Sequence, residues 1–170
     1  FAVGDAVDKT DATTGEPTLV PLANSANRQG RLVADIIAGR PAHFGGVLGT
    51  AIVKVFDLTV AVTGANEKRL RASGRSHQAI HTHPGSHAGY YPGSERISLK
   101  LLFDPQTGQV LGAQGVGGSG TDKRIDVIAT AIRGGVTADQ LADLELAYAP
   151  PYGSAKDPVN QLGYVAENIM

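Results

Sequence analysis

ISLKLLFDPQTGQVLGAQGVG, residues 97–117, is the stretch whose reading decides the fold. Ile97, Leu99 and Leu101 alternate with Ser98 and Lys100, so an extended chain here has one apolar and one polar face. Asp104-Pro-Gln-Thr-Gly-Gln109 then supplies proline and glycine where a hairpin needs a turn. Val110-Leu-Gly-Ala-Gln-Gly-Val116 returns as a second strand. Strands joined by so short a link run antiparallel, because a parallel pair needs a long crossover. An antiparallel sheet is therefore expected.

Reading outward, AIVKVFDLTVAVTG (51–64) is β-branched and long enough for one or two strands. NEKRLRAS (66–73) follows as a short polar helix, and HQAIHTH (77–83) as another strand. Beyond the hairpin, Thr121 is placed to cap a helix carrying Ile125, Ile128, Ala131 and Ile132 on one side. Thr137 and Gln140 have capping-box spacing for a second, short helix. YAPPYGSAKDP (148–158) is held extended by its prolines, and a last helix is expected over about 159–170. Near the N-terminus, Phe1-Ala2-Val3 reads as a buried strand ending in Gly4-Asp5. Leu22, Ala26, Gly30, Val33, Ile36 and Ile37 recur at helical spacing until Gly39. The expected class is α+β: an antiparallel sheet with helices packed on it, preceded by a strand–helix pair, divided into 1–41 and 42–170.

A chain of 170 residues is long enough to build a core without staples. Its 15 basic and 16 acidic residues are interspersed, and binding to nucleic acid or an anionic membrane needs a basic patch, so neither partner is expected. No apolar run is long enough to span a bilayer, and the expectation is a soluble, cytoplasmic protein. With no cysteine there is no disulfide, no thiolate-held metal and no thiol redox chemistry within these residues. A strand-like start at Phe1 reads as a piece of something longer.

Several constellations carry chemistry. Gly115-Val-Gly117-Gly-Ser-Gly120 fits the dinucleotide pattern G-x-G-x-x-G. That pattern works at the first strand of a parallel βαβ unit; here the strand closes an antiparallel hairpin, so a plain strand-to-helix turn is preferred. His77, His81, His83 and His87 form a dense group in which His81 and His83 share a strand face, with no Asp or Glu nearby to complete a zinc site. No metal is assigned, and a stand-alone metal enzyme built on these histidines remains the alternative, beside a non-catalytic interaction module. GYYPG (89–93) and YAPPYG (148–153) fix tyrosines beside Pro and Gly, suited to interface packing or to catalysis. Lys156 and Asp157 form a surface pair, or Lys156 holds a phosphate or carboxylate. Asp5 after a strand suits a sugar-like hydroxyl chain, and the helix opening in PLANSANRQG (21–30) offers N–H groups to something anionic.

FAVGDAV, PLANSANRQGRLVADIIAG, KVFDLTVAVTGANEK, SHAGYYPG, LLFDPQTGQVLGAQGVG, DKRIDVIATAI and YAPPYGSAKDPVNQLGYVAEN together resemble, in order, blocks of the pyridine nucleotide-disulfide oxidoreductases. The likeness is greatest to the coenzyme A-disulfide reductase and NADH oxidase branch, in which YAPPYGSAKDPVN is specific. The resemblance implies that residues 1–41 are the end of an FAD domain and 42–170 a dimerisation domain of the FAD/NAD-linked reductase type. It implies that Gly4 and Asp5 meet the FAD ribityl chain, and that Leu22 and Ala23 open a helix facing the flavin. Asn27 and Lys156 fall where substrate is bound, though the family can carry His at the first. Tyr90 and Tyr148 match two catalytic tyrosines sent into a partner subunit's active site, with Tyr148 also approaching the flavin. It implies a homodimer that uses FAD and NAD(P)H on coenzyme A disulfide, persulfide or a related sulfur substrate. The isolated chain, lacking the redox cysteine and the nucleotide fingerprints, is expected to be inactive.

Overall fold

In the computed structural model, which describes residues 1–170, the elements run β1 (Lys9–Thr10), β2 (Pro17–Thr18), α1 (Ala23–Ile37), β3 (Ala51–Val55), β4 (Leu58–Gly64), α2 (Glu67–Ala72), β5 (Gln78–Thr82), β6 (Ile97–Phe103), β7 (Val110–Gly117), α3 (Thr121–Gly134), a 3-10 helix (Asp139–Asp143) and α4 (Pro158–Glu167). They form two compact units, Phe1–Gly49 and Thr50–Met170. None of the helices is long and apolar enough to cross a membrane.

The larger unit is built on one sheet of order β3-β4-β7-β6-β5, in which every neighbouring pair is antiparallel. The diagnostic hairpin is therefore the middle of the sheet. Leu99 lies opposite Gly115 and Leu101 opposite Ala113, so these two large side chains of β6 face small residues of β7. That leaves room for α3: a Cβ on Gly115 would come 3.0 Å from the Thr121 methyl. Ile97, Leu99, Leu101 and Phe103 are buried with Ile125 and Ile128 of α3 in the main core, which continues to Leu141 and to Val159 and Leu162 of α4. Each such side chain contributes about 1.5–3 kcal/mol by leaving water.

The other sheet face has a smaller cluster. Leu102 and Leu111 bury Leu70 of α2 with Ala65. Asn66 caps α2 by accepting from the Arg69 amide at 3.0 Å. On its exposed side the Lys100 ammonium bonds the Glu67 carboxylate and holds it below the ordinary carboxyl range.

Asp157 starts α4 with a full capping box: its carboxylate accepts from the Val159 amide at 3.0 Å, and its own amide donates to Asn160 Oδ1 at 3.1 Å. Asn160 Nδ2 donates to the carbonyls of Leu141, Ala142 and Leu144, fastening α4 to the 3-10 helix. In the smaller unit, β1 and β2 form a short ribbon. The Gly4 turn is tied to α1, since its amide donates to Gln29 Oε1 at 2.9 Å. Buried Lys9 donates to the carbonyls of Gly4 at 2.7 Å and Val20 at 2.9 Å.

Several expectations need correction. Phe1-Ala2-Val3 is not a buried strand: no strand lies beside it to share its backbone hydrogen bonds, and Phe1 is exposed. Within the first compact unit, Val47 bridges Asp11. Gly120, in a left-handed conformation, precedes α3 in place of Thr121, whose hydroxyl turns back to the Gly118 carbonyl at 3.0 Å. Gln140 does accept from the Thr137 amide, but the segment winds as a 3-10 helix. On α1 the buried residues are Ser25 and Gln29, while Ile36 and Ile37 are exposed.

A Cβ on Gly163 would lie 2.1 Å from the Ala142 amide nitrogen. Gly163→Ala is therefore expected to destabilise the chain by about 1–3 kcal/mol, the range for overpacking. Chemical unfolding checks this, and an unchanged midpoint would show that α4 and the 3-10 helix do not need their close approach.

Candidate functional site

Two irregular loops meet above the sheet. One joins β5 to β6 and carries Tyr90; the other leads from the 3-10 helix to α4 and carries Tyr148. Their hydroxyls stand 3.1 Å apart. Both rings are solvent-accessible, Tyr90 at 77% and Tyr148 at 48%, so the pair is presented outward rather than consumed in a core. The loops are cross-linked directly, the Ala88 amide donating to the Gly153 carbonyl at 2.8 Å. Within its own loop Tyr91 packs edge-on against His87, with centroids 5.8 Å apart.

Beside Tyr148 opens a cavity of about 450 Å³ whose wall includes Ser86, His87, Ser119, Lys123, Arg124 and Tyr152. At its floor lies a side chain that sequence reasoning missed. Arg124 is 1% exposed. Its Nε donates to Asp157 Oδ1 at 3.3 Å and its Nη2 to Asp157 Oδ2 at 2.9 Å. Nη2 also reaches the Ser86 carbonyl at 2.9 Å, and Nη1 the Gly120 carbonyl at 3.1 Å. Asp157 is thus buried and ion-paired, not half of a surface pair with Lys156. A signal did exist in the sequence. Thr121, Arg124, Ile125, Ile128 and Ala131 fall on one helical stripe and all are buried, so a charge stood on the core side of α3.

Lys156 is exposed, with its ammonium 5.8 Å from the Tyr164 ring centre. In the other unit Asn27 lies exposed on α1. Gly4 takes a left-handed turn at φ 96°, with Asp5 exposed after it. Leu22 is the N-cap of α1 without a side-chain cap, and Ala23 is its first helical residue. Lys9 and Gln29 are the unforeseen residues that fasten this turn to its helix.

The four histidines do not converge. His77 contacts the Arg75 carbonyl and lies 3.9 Å from Glu67; His83 pairs with Ser98 at 2.9 Å; His87 contacts the neighbouring Ala88 carbonyl. β5 ends at Thr82, so His83 does not continue its face. No group of three His, Cys, Asp or Glu is placed to hold a metal ion. The G-x-G-x-x-G stretch ends β7 between two antiparallel neighbours, outside any βαβ unit.

Comparison with known proteins decides the family. The model of the pyridine nucleotide-disulphide oxidoreductase dimerisation domain matches residues 50–158. The chain belongs to this oxidoreductase family. The coenzyme A disulfide reductase of Staphylococcus haemolyticus (strain JCSC1435) is 41% identical over 170 residues, which cover 99% of this chain and 38% of that protein. Among solved structures, the reduced CoADR-RHD of Bacillus anthracis superposes with a TM-score of 0.97 at 52% identity, over 99% of this chain and 30% of that one. An NAD-dependent persulfide reductase from A. fulgidus gives 0.96 at 45% identity, over 99% and 31%. This oxidoreductase chain therefore spans well under half the length of these relatives. Its sheet and α3 lie within the matched dimerisation domain, as do both Tyr90 and Tyr148.

In this dimerisation domain the Tyr90 hydroxyl, first by its hydrogen bond and then with local burial, raises Tyr148 above the ordinary phenol value. Tyr148 stays protonated to higher pH than a free tyrosine. Tyr90→Phe removes the largest cause, so Tyr148 is expected to ionise at lower pH than in the parent. Alkaline titration by ring-carbon NMR reads this, and an unmoved Tyr148 would show that the hydroxyls do not interact in solution.

Proposed function

We propose that this chain supplies the dimerisation domain and half of the active site of an FAD-dependent NAD(P)H:disulfide oxidoreductase acting on coenzyme A disulfide, persulfide or a related sulfur substrate. The observation that carries the reading is the exposed Tyr90–Tyr148 pair beside an open cavity. Two phenols in hydrogen-bond contact form a short relay: one donates to an incoming or departing sulfur while the other donates to the first. Such a relay needs a sulfur nucleophile, and a chain with no cysteine cannot provide it. The thiolate comes from polypeptide outside these residues, and homodimerisation through residues 42–170 brings the tyrosines to it.

The residues read as flavin-contacting fit the group. Gly4 turns the backbone so that Asp5 is free to accept from a polyhydroxylated chain, and the N-terminus of α1 at Leu22 and Ala23 suits an electron-rich ring edge. FAD, when bound, supplies electron transfer between NAD(P)H and a disulfide. Tyr148 lies in the catalytic pair and is also assigned to the flavin side of it. Asn27 and Lys156, both exposed, are assigned to the substrate; an ammonium beside the cavity loop suits the phosphates of a coenzyme A moiety. Residues 1–41 are read as the end of the FAD domain.

In the full flavoprotein that carries this chain, Tyr148→Phe is expected to lower kcat on coenzyme A disulfide about 100-fold or more, with flavin content unchanged. The 170-residue chain alone is expected to sediment as a dimer at high micromolar concentration and to reduce no disulfide with NAD(P)H. Parental turnover by the variant, or disulfide reduction by the chain alone, would overturn the reading; a strictly monomeric chain would remove its dimeric part.

A further inference from the structure

The tyrosine pair depends on two loops that have no regular secondary structure of their own. Hydrogen bonds between their backbones and fixed points must therefore set where the rings stand. The first turn of α3 supplies two of those points, and a partner for a carboxylate besides. Lys123 Nζ donates to the carbonyl of Ala147, the residue before Tyr148, at 3.4 Å. Arg124 reaches the base of the Tyr90 loop at the Ser86 carbonyl and the end of the Tyr148 loop at the Asp157 carboxylate. Ser86 is in turn locked to Glu95 at the other end of the same loop, its amide donating to the Glu95 carbonyl at 2.7 Å and its hydroxyl accepting from the Glu95 amide at 3.1 Å.

The chemistry of the guanidinium matters here. A planar fork can engage both oxygens of one carboxylate and still direct N–H groups to two carbonyls in other directions. An ammonium cannot reproduce that fixed geometry. The backbone has also made room for the group: Gly120 has φ 84°, and a Cβ there would lie 2.3 Å from Arg124 Nη1. The Ala88–Gly153 backbone bond also joins the two loops, and both of its residues are buried, but Arg124 is the side chain that ties the base of one loop to the end of the other.

We propose that Arg124 is a positioning residue for the tyrosine pair: its buried guanidinium, by joining the base of the Tyr90 loop to the end of the Tyr148 loop, sets the distance at which the two hydroxyls meet. The proposal rests on reading the two tyrosines as the working groups of a half-site. Arg124 itself touches neither hydroxyl, so its action passes through backbone.

The test is the alkaline titration of Tyr148 by ring-carbon NMR in the 170-residue chain, for Arg124→Lys and for Asp157→Asn, a near-isosteric change that keeps a cap for α4. Each folded variant is expected to shift Tyr148 ionisation down as far as Tyr90→Phe does. Adding Arg124→Lys to Tyr90→Phe should then move it no further. A purely structural role would lower the melting temperature and leave the Tyr148 titration as in the parent, and that result overturns the proposal. Loss of fold in both single variants overturns it too, because the pair would then be a folding requirement rather than a loop setting. Should the Tyr148→Phe flavoprotein turn over at the parental rate while Arg124→Lys uncouples the tyrosines, the catalytic reading fails and the positioning role stands.

Discussion

A guanidinium removed from water costs several kcal/mol unless its N–H groups are all answered, and Arg124 is answered from three directions. That requirement organises the end of the larger unit where the two tyrosine loops lie. To satisfy one cation, the Ser86 carbonyl, the Gly120 carbonyl and the Asp157 carboxylate must converge on the first turn of α3. The loops that own them must follow. Asp157 has a second duty as the cap of α4, so the same carboxylate couples the loop geometry to the start of the last helix. Removing Asp157 would leave Arg124 charged and buried, a penalty of about 3–5 kcal/mol in comparable pairs, whereas Asp157 without Arg124 would still have the Lys123 ammonium 3.9 Å away.

The sheet supplies what the ion pair cannot, a rigid base. α3 presses on β4 and β7 because glycine and alanine of β7 stand opposite the leucines of β6. α4 and the 3-10 helix extend that core over β5 and β6, held together by Asn160 and the close approach at Gly163. Packed elements of this kind scarcely deform, whereas loops do. The Tyr90–Tyr148 contact sits where two loops, each tied to rigid elements at several points, meet.

Much of this was legible in the sequence, for physical reasons that differ between residues. The alternation at Ile97, Leu99 and Leu101 and the turn after Asp104 fixed the antiparallel pairing, because side-chain period and loop length are local properties. The tyrosines stood out through neighbouring Pro and Gly. Arg124 was not seen because the helical stripe was read through its apolar members alone, although a charge at that position demands a buried partner. Asp157 was misjudged for the complementary reason: its partner lies 33 residues away in sequence. Phe1-Ala2-Val3 has the composition of a strand, but a strand exists only where a neighbour shares its backbone bonds. The histidines were close along the chain yet diverge in space, since β5 ends before His83 and the following turn carries His87 elsewhere.

The account stands or falls on whether the buried ion pair acts as one unit. A double-mutant cycle in chemical unfolding, with Arg124→Lys, Asp157→Asn and the two together, measures that directly. Because each single change already breaks the shared geometry, the double variant should be scarcely less stable than the worse single one, with a coupling of about 1 to 3 kcal/mol. Destabilisations that simply add would mean that Arg124 and Asp157 serve the fold independently, and that no clamp joins the two tyrosine loops.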